Sequence, residues 1–166
     1  VRDGTGPSVA RNDGFGDAEI GAKLALAELS GGPLAFQASL RLPTGEEGFT
    51  TDELGASAYL LHGRDLGDSY WLQTMLGVTY LPISGADDQA AGAVGALVSH
   101  PIVDRWSAYV EATALPGLQH AAGQSYLGAA LIFAPPNDVQ LDLSADFGLD
   151  DDSADVIAAL GLSWRI

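Results

Sequence analysis

The side chains that could do chemistry in this sequence are few, and most of them are carboxylic acids. In the stretch VQLDLSADFGL, Asp142 and Asp146 alternate with apolar residues. Successive side chains of a β-strand point to opposite faces, so both carboxylates would share one polar face. Charged residues of both signs recur in the same phase elsewhere, which is compatible with a conduction path or with a packed plug of ion pairs. The full set is Glu19, Lys23, Arg41, Glu111, Asp142, Asp146 and Arg165.

Acidic runs in the predicted loops are a second candidate for chemistry, because carboxylate oxygens bind divalent cations. They comprise Glu46–Glu47, Asp87–Asp88 and Asp150–Asp152. Cations held there could bridge to anionic lipopolysaccharide. The runs lack the spacing of a calcium loop, which favours solvated loop charge. We therefore expect neither a metal site nor a cofactor.

His120 and Ser125 form a third candidate, since barrel-embedded lipases and acyltransferases place a base and a nucleophile near the membrane rim. The sequence offers no third residue to orient this pair. His62 and His100 lie beside predicted turns without metal-ligand spacing, which favours surface roles. We expect a protein that is not an enzyme, with a lipid-modifying barrel enzyme as an alternative.

Composition narrows the possible partners. The 166 residues include 22 acidic and 7 basic side chains, for a formal net charge of −15, which argues against nucleic-acid binding. The absence of cysteine excludes disulfides and cysteine-based sites. Only 17% of the residues are charged, below the roughly 25% of ordinary soluble domains. Charge is therefore scarce, and it is strongly unbalanced toward acid.

The elements that position these residues are predicted to be β-strands, because apolar and polar residues alternate with a period of two. The same alternation would scatter apolar residues around a helix. Short turn signals such as SGGP (30–33) alternate along the chain with longer, more acidic connections. The nine predicted strands are Asp17–Leu26, Leu34–Pro43, Glu53–Gly63, Tyr70–Leu81, Gln89–Ser99, Trp106–Ala114, Tyr126–Phe133, Val139–Leu149 and Val156–Ile166.

Two architectures use such strands, and they differ in which face looks inward. A soluble barrel or sandwich buries the apolar face, whereas a transmembrane barrel turns it toward lipid around a polar interior. The strands are long, and about ten tilted residues span the hydrocarbon layer. The polar face is rich in glycine and serine, and the middle of the apolar face carries no charge. These features favour an all-β, antiparallel up-and-down transmembrane β-barrel of about 8–10 strands.

Aromatic residues are expected at the two ends of the strands, where membrane interfaces select them. Hairpin order places the three tryptophans at one rim, together with Tyr70, Phe36 and Phe133, and places Tyr80, Tyr126 and Phe147 at the other. The alternative explanation is that aromatic residues simply favour strands. The predicted aromatic belt comprises Trp71, Trp106, Trp164, Tyr70, Tyr80, Tyr126 and Phe147.

Three stretches resemble a known family. GFGDAEIGAKLALAE, GGPLAFQASLRLPTGEE and DFGLDDDSADVIAALGLSWRI are similar to the outer-membrane barrel family of meta-pathway phenol degradation proteins and transporter-like proteins. The resemblance covers roughly residues 13–166 and concerns barrel construction rather than chemistry. It implies a Gram-negative outer-membrane location, contact with lipid and lipopolysaccharide, and a transporter-like or structural role, with passage or binding of small hydrophobic or aromatic compounds.

The last strand resembles the signal read by the barrel-assembly machinery, with Gly161, Trp164 and Ile166 at the expected spacing. Ile166 stands where a final Phe is usual. The resemblance therefore implies that this machinery is a partner. A soluble barrel that binds a small hydrophobic ligand remains the alternative to the membrane interpretation.

The number of strands raises a question about closure. Single-chain bacterial barrels have even strand numbers, so nine strands predict at least one more, either preceding residue 13 or supplied by a partner chain. Residues 1–12 show no alternation and are assigned to an N-terminal loop or the remnant of a longer chain, with the barrel at 13–166. The rival interpretation is that the chain has been divided into strands wrongly at Gln89–Ser99 and that the true number of strands is eight.

Overall fold

A computed structural model describes residues 14–29, 31–82, 87, 89–119, 121–136 and 138–164. The N-terminal residues 1–12, Asp88, His120, Arg165 and Ile166 lie outside the described residues. No helix among the described residues is long and apolar enough to cross a membrane.

The described chain is all β. The strands are β1 Ala18–Leu29, β2 Gly32–Leu42, β3 Gly55–Gly67, β4 Tyr70–Leu81, β5 Gln89–Val103, β6 Trp106–Leu115, β7 Gly117–Gln119, β8 Gln124–Phe133, β9 Val139–Gly148 and β10 Val156–Trp164.

All strands belong to one curled antiparallel sheet. The nine long strands follow one another in the sheet in chain order, and the three-residue β7 pairs with β5. This confirms the predicted all-β up-and-down architecture. Because β5 is a single continuous strand, the rival count of eight strands is wrong for the described chain.

Several strands extend further than the alternation predicted. β1, β3 and β5 each continue beyond the predicted end, and each contains a register shift near that end, at 25–27, 65–67 and 101–103. A β-bulge adds a residue to one strand and breaks the period of two. Backbone pairing therefore continues where the side-chain pattern no longer shows it.

The two rims of the sheet differ in their connections. Short turns join β1 to β2, β3 to β4, β5 to β6 and β8 to β9 at one rim, which we call the short-turn rim. In the β3–β4 turn, Asp68 and Ser69 have φ of 51° and 67°, as a type I′ hairpin requires. The longer connections lie at the opposite rim, which we call the long-loop rim.

Burial is inverted relative to a soluble sheet. The described residues contain only three buried hydrophobic residues, Leu61, Ala93 and Ala130, and no fully buried large side chain. In β8 and β9, Leu127, Leu131 and Leu143 are exposed, whereas the residues on either side of each along the chain are buried or half-buried. The sheltered face thus carries the polar and small residues, and we call it the inner face.

Candidate functional site

The inner face is the candidate functional site, and strand pairing decides which of its residues meet. Glu19 is directly opposite Arg41, and the two side chains form an ion pair with 3.8 Å between Oε2 and Nη2. Lys23 lies four residues further along β1, opposite Gln37. The predicted charges on β1 and β2 therefore form a group of mixed sign.

Of the remaining predicted charges, Arg165 lies outside the described residues, and the three that are described lie on strands β6 and β9 and are all acidic. Gly128 on β8 is flanked by Glu111 of β6 and Asp146 of β9, which lie on either side of it in register. Tyr109 is hydrogen-bonded to the Glu111 carboxylate. Asp142 lies four residues before Asp146 on the same strand. We call Glu111, Asp142 and Asp146 the acidic strip.

Glycines make room for this strip. A Cβ atom at Gly128 would collide with the Asp146 carboxylate, and one at Gly161 would collide with the carboxylate of Asp142. Each carboxylate therefore lies across a glycine of a neighbouring strand. This assigns a packing role to Gly161, for which the sequence predicted a part in the assembly signal; that signal stays a prediction.

Glycines of β3 and β4 make room for aromatic rings in the same way. A Cβ atom at Gly63 would overlap the Trp71 indole, and one at Gly77 would overlap the ring of Tyr59. The Tyr59 hydroxyl is 2.9 Å from Thr79 Oγ1. We call Tyr59 and Trp71 the ring pair. Sequence reasoning did not identify this pair, because only the register shows which glycine faces which ring.

Five of the predicted belt residues lie in the outward phase near strand ends: Tyr70, Tyr80, Trp106, Phe147 and Trp164. At the short-turn rim, Tyr70 stacks on His100 with ring centroids 4.3 Å apart, and Trp106 contacts Phe133 at 4.8 Å. The other two predicted belt residues, Trp71 and Tyr126, are in phase with the inner face instead. Trp71 packs over Gly63 on the inner face, and the Tyr126 hydroxyl accepts a hydrogen bond from the backbone N–H of Ala154.

The long-loop rim is fastened by two carboxylates. Asp17, just before β1, accepts hydrogen bonds from the backbone N–H groups of Thr44, Gly45 and Thr51. A hydrogen bond with the Thr50 side chain, followed by the Thr51 backbone N–H, lowers the Asp17 pKa to about 2. Asp17 therefore anchors the loop between β2 and β3 to the start of the sheet.

The second carboxylate is Asp150 in the loop between β9 and β10. The hydroxyls of Ser125 and Ser153 both donate to it, and the hydrogen bond from Ser125 lowers the Asp150 pKa. Ser125 is thus engaged by a carboxylate, and its predicted partner His120 lies outside the described residues. Within those residues, no three histidine, aspartate or glutamate side chains are grouped as metal ligands.

Comparison with known proteins agrees with this construction. No curated protein matches the chain. A family model, described as the MetA-pathway of phenol degradation, matches residues 2–166. The match covers almost the whole sequence and confirms the family resemblance of the three stretches. The chain belongs to the MetA-pathway of phenol degradation family.

Proposed function

We propose that this protein is a bacterial outer-membrane β-barrel with a transporter-like role, and that it passes or binds small hydrophobic or aromatic compounds. The observation that carries the proposal is the inverted burial. Leu143 and Phe147 are 58% and 53% exposed, whereas Asp142 and Asp146, on the same strand, are sheltered on the inner face. Exposed apolar surface on this scale is stable where hydrocarbon is the solvent.

Strand length and sidedness support the same proposal. The nine long strands contain between 9 and 15 residues, and about 9–11 tilted residues cross the hydrocarbon layer. Outer-membrane barrels have short turns on one side and longer loops on the other, as the two rims do here. Lipid and lipopolysaccharide would contact the outer face, and the barrel-assembly machinery would insert the chain.

The inner face supports a transport role rather than catalysis. The ring pair offers aromatic surface to a small aromatic compound, and small polar contacts such as Ser39–Ser57, with 2.6 Å between hydroxyl oxygens, line the neighbouring strands. The family name connects the chain to phenol degradation, and uptake of an aromatic compound fits that connection. Ser125 donates to Asp150, which disfavours the lipid-modifying enzyme.

Two adjacent residues of β9 provide the test. Leu143 points outward, and Ser144 points inward between Asp142 and Asp146. A lysine facing lipid near the bilayer middle costs about 2–4 kcal/mol. We expect Leu143→Lys to abolish accumulation in outer-membrane fractions, and the matched variant Ser144→Lys to be tolerated because acidic neighbours surround it. A soluble barrel with the described geometry would expose Leu143 to water, so it predicts that Leu143→Lys is tolerated and that the protein remains in solution without detergent.

An uptake assay tests the more specific part of the proposal, which is that the barrel passes small aromatic compounds. Cells that lack the gene should take up radiolabelled phenol several-fold more slowly at micromolar concentration, and plasmid-borne wild-type protein should restore the rate. Cells that carry the Ser144→Lys variant in the outer membrane are compared with cells that carry the wild-type protein. The comparison tests whether a bulky cation on the inner face slows uptake. Equal uptake by deleted and complemented cells would contradict a role in passage of this compound.

A further inference from the structure

A cleft opens on the inner face at Gly95, in the interior of the described sheet. Its walls belong to β4, β5 and β6, each of which is paired on both sides. A Cβ atom at Gly95 would lie 3.3 Å from Met75 Cε and 3.3 Å from Thr113 Oγ1, so the missing side chain leaves a space between these two groups. We call this space, of about 50 Å³, the Gly95 cleft. It is also lined by Gln73, Leu97 and Glu111.

The two walls of the Gly95 cleft differ in chemistry. On the β4 side, Met75 is in register with the buried Leu61, and Leu97 of β5 continues the apolar surface. On the β6 side, Glu111 and Thr113 are two residues apart on one strand and therefore share the inner face. An aromatic ring fits the apolar wall, and a hydrogen-bonding group fits the polar wall.

The polar wall offers both an acceptor and a donor of hydrogen bonds. The ionised Glu111 carboxylate only accepts, and the Tyr109 hydroxyl takes one of its several acceptor positions. The Thr113 hydroxyl can donate. A hydroxyl group on a ligand matches this wall, because it donates one hydrogen bond and accepts another.

The charge around the Gly95 cleft disfavours an anionic ligand. Asp146 lies close to Glu111, on the other side of Gly128. Strands β4 to β9 contain no lysine or arginine. An aromatic carboxylate would therefore meet like charge with no cation on these strands to offset it. An uncharged hydroxyl instead meets a charged acceptor, which strengthens its hydrogen bond.

We propose that the Gly95 cleft binds a small uncharged ring compound that carries a hydroxyl group, and that Glu111 makes it discriminate against aromatic carboxylates. This inference rests on the proposed function, for which it specifies a binding site and the charge of the ligand. A single water needs about 10–15 Å³, so the cleft admits the hydroxyl and the adjacent ring carbons. The rest of the ring lies over Met75 and Leu97 on the inner face.

The only methionine of the 166 residues provides the reporter, because Met75 forms part of the apolar wall. Full-length protein that carries ¹³C-labelled methionine methyl groups is reconstituted in lipid nanodiscs, and the Met75 signal is assigned by its loss in Met75→Leu. The probes are phenol and benzoate at neutral pH, where phenol is uncharged and benzoate is an anion. A ring against the methyl group shifts its resonance, and saturation of the shift distinguishes binding from partition into lipid.

We expect phenol to shift the Met75 signal saturably, and benzoate to bind at least about tenfold more weakly. Glu111→Gln removes the charge but keeps an acceptor, so it should weaken phenol binding and strengthen benzoate binding, narrowing the ratio to about threefold or less. Glu19→Gln is the matched control, because this carboxylate lies on β1, outside the cleft, and the ratio should not change. Gly95→Val fills the cleft and should abolish the phenol shift.

Equal affinity for the two probes, or the same ratio in Glu111→Gln and Glu19→Gln, would overturn the inference. Absence of a saturable shift at Met75 would also overturn it, and phenol uptake that depends on the protein would then leave the proposed function standing. The converse result is a saturable Met75 shift together with equal uptake by deleted and complemented cells. That result would contradict passage of phenol and leave the binding site standing.

Discussion

The inner face has two regions that use glycine in the same way but accommodate different groups. Between β3 and β4, Gly63 and Gly77 lie beneath the ring pair. Between β6 and β10, Gly128 and Gly161 lie beneath carboxylates of the acidic strip. A ring fills space and excludes water, whereas a carboxylate must keep hydrogen-bond partners. The ring side is therefore the apolar part of the inner face, and the acidic side is its charged part.

The largest effect is expected on the ring side. A side chain at Gly77 would collide with the Tyr59 ring and with the backbone carbonyl oxygen of Ala58, which cannot move aside. Gly77→Val should lower the free energy of unfolding by about 1–3 kcal/mol, measured by urea titration in lipid vesicles. Ala129→Val is the matched control, because Ala129 is exposed on the outer face. Equal stability of Gly77→Val and wild type would contradict the packing assigned to the ring pair.

A smaller effect is expected on the acidic side, because the group opposite the glycine is the end of a flexible side chain. Gly161→Ala should destabilise by about 1 kcal/mol as the Asp142 carboxylate turns away. Asp142→Ala removes the obstacle, so the double variant Asp142→Ala/Gly161→Ala should be more stable than expected from the sum of the two single changes. Simple additivity in this double-mutant cycle would show that the two residues do not interact.

Charge on the acidic strip gives a still smaller effect. Glu111 and Asp146 repel each other across Gly128, and no basic side chain of the described residues forms an ion pair with either. Asp146→Asn should raise the free energy of unfolding by about 0.5 kcal/mol at low ionic strength, and the gain should shrink in high salt. The comparison variant is Glu19→Gln, which breaks the ion pair with Arg41 and should not stabilise. A salt-independent gain would argue against charge repulsion.

The smallest effect concerns the loop anchored by Asp17 at the long-loop rim. The pKa of this group is depressed in the folded state, so its stabilisation is complete above the ordinary aspartate value near 4 and is lost as the pH falls toward about 2. The protection factors of the Thr51 and Gly45 amides, which correct for the intrinsic pH dependence of exchange, should fall within that window. In Asp17→Asn these protection factors should already be low at neutral pH and should change little on acidification. An unchanged acid response in this variant would assign the transition to another group.

Much of this molecule could be predicted because the period of two is a local property. Alternation along a single strand is enough to place Asp142 and Asp146 on one face and Leu143 on the opposite face. Strand ends were less predictable, since the bulges in β1, β3 and β5 break that alternation while backbone pairing continues. The phase of β5 could not be read from its alanines and glycines, and the register of β4 and β6 decides it by placing Val94 outward.

The amino-acid sequence by itself determined the strand class, the count of nine long strands and the segregation of apolar from polar residues. Tertiary structure decided which residues meet: Trp71 over Gly63, Asp146 over Gly128, and Ser125 with Asp150. The physical reason is that alternation is set within one strand by backbone geometry, whereas each cross-strand contact depends on the register between two strands. That register is set by turns and bulges and by the packing of the whole sheet.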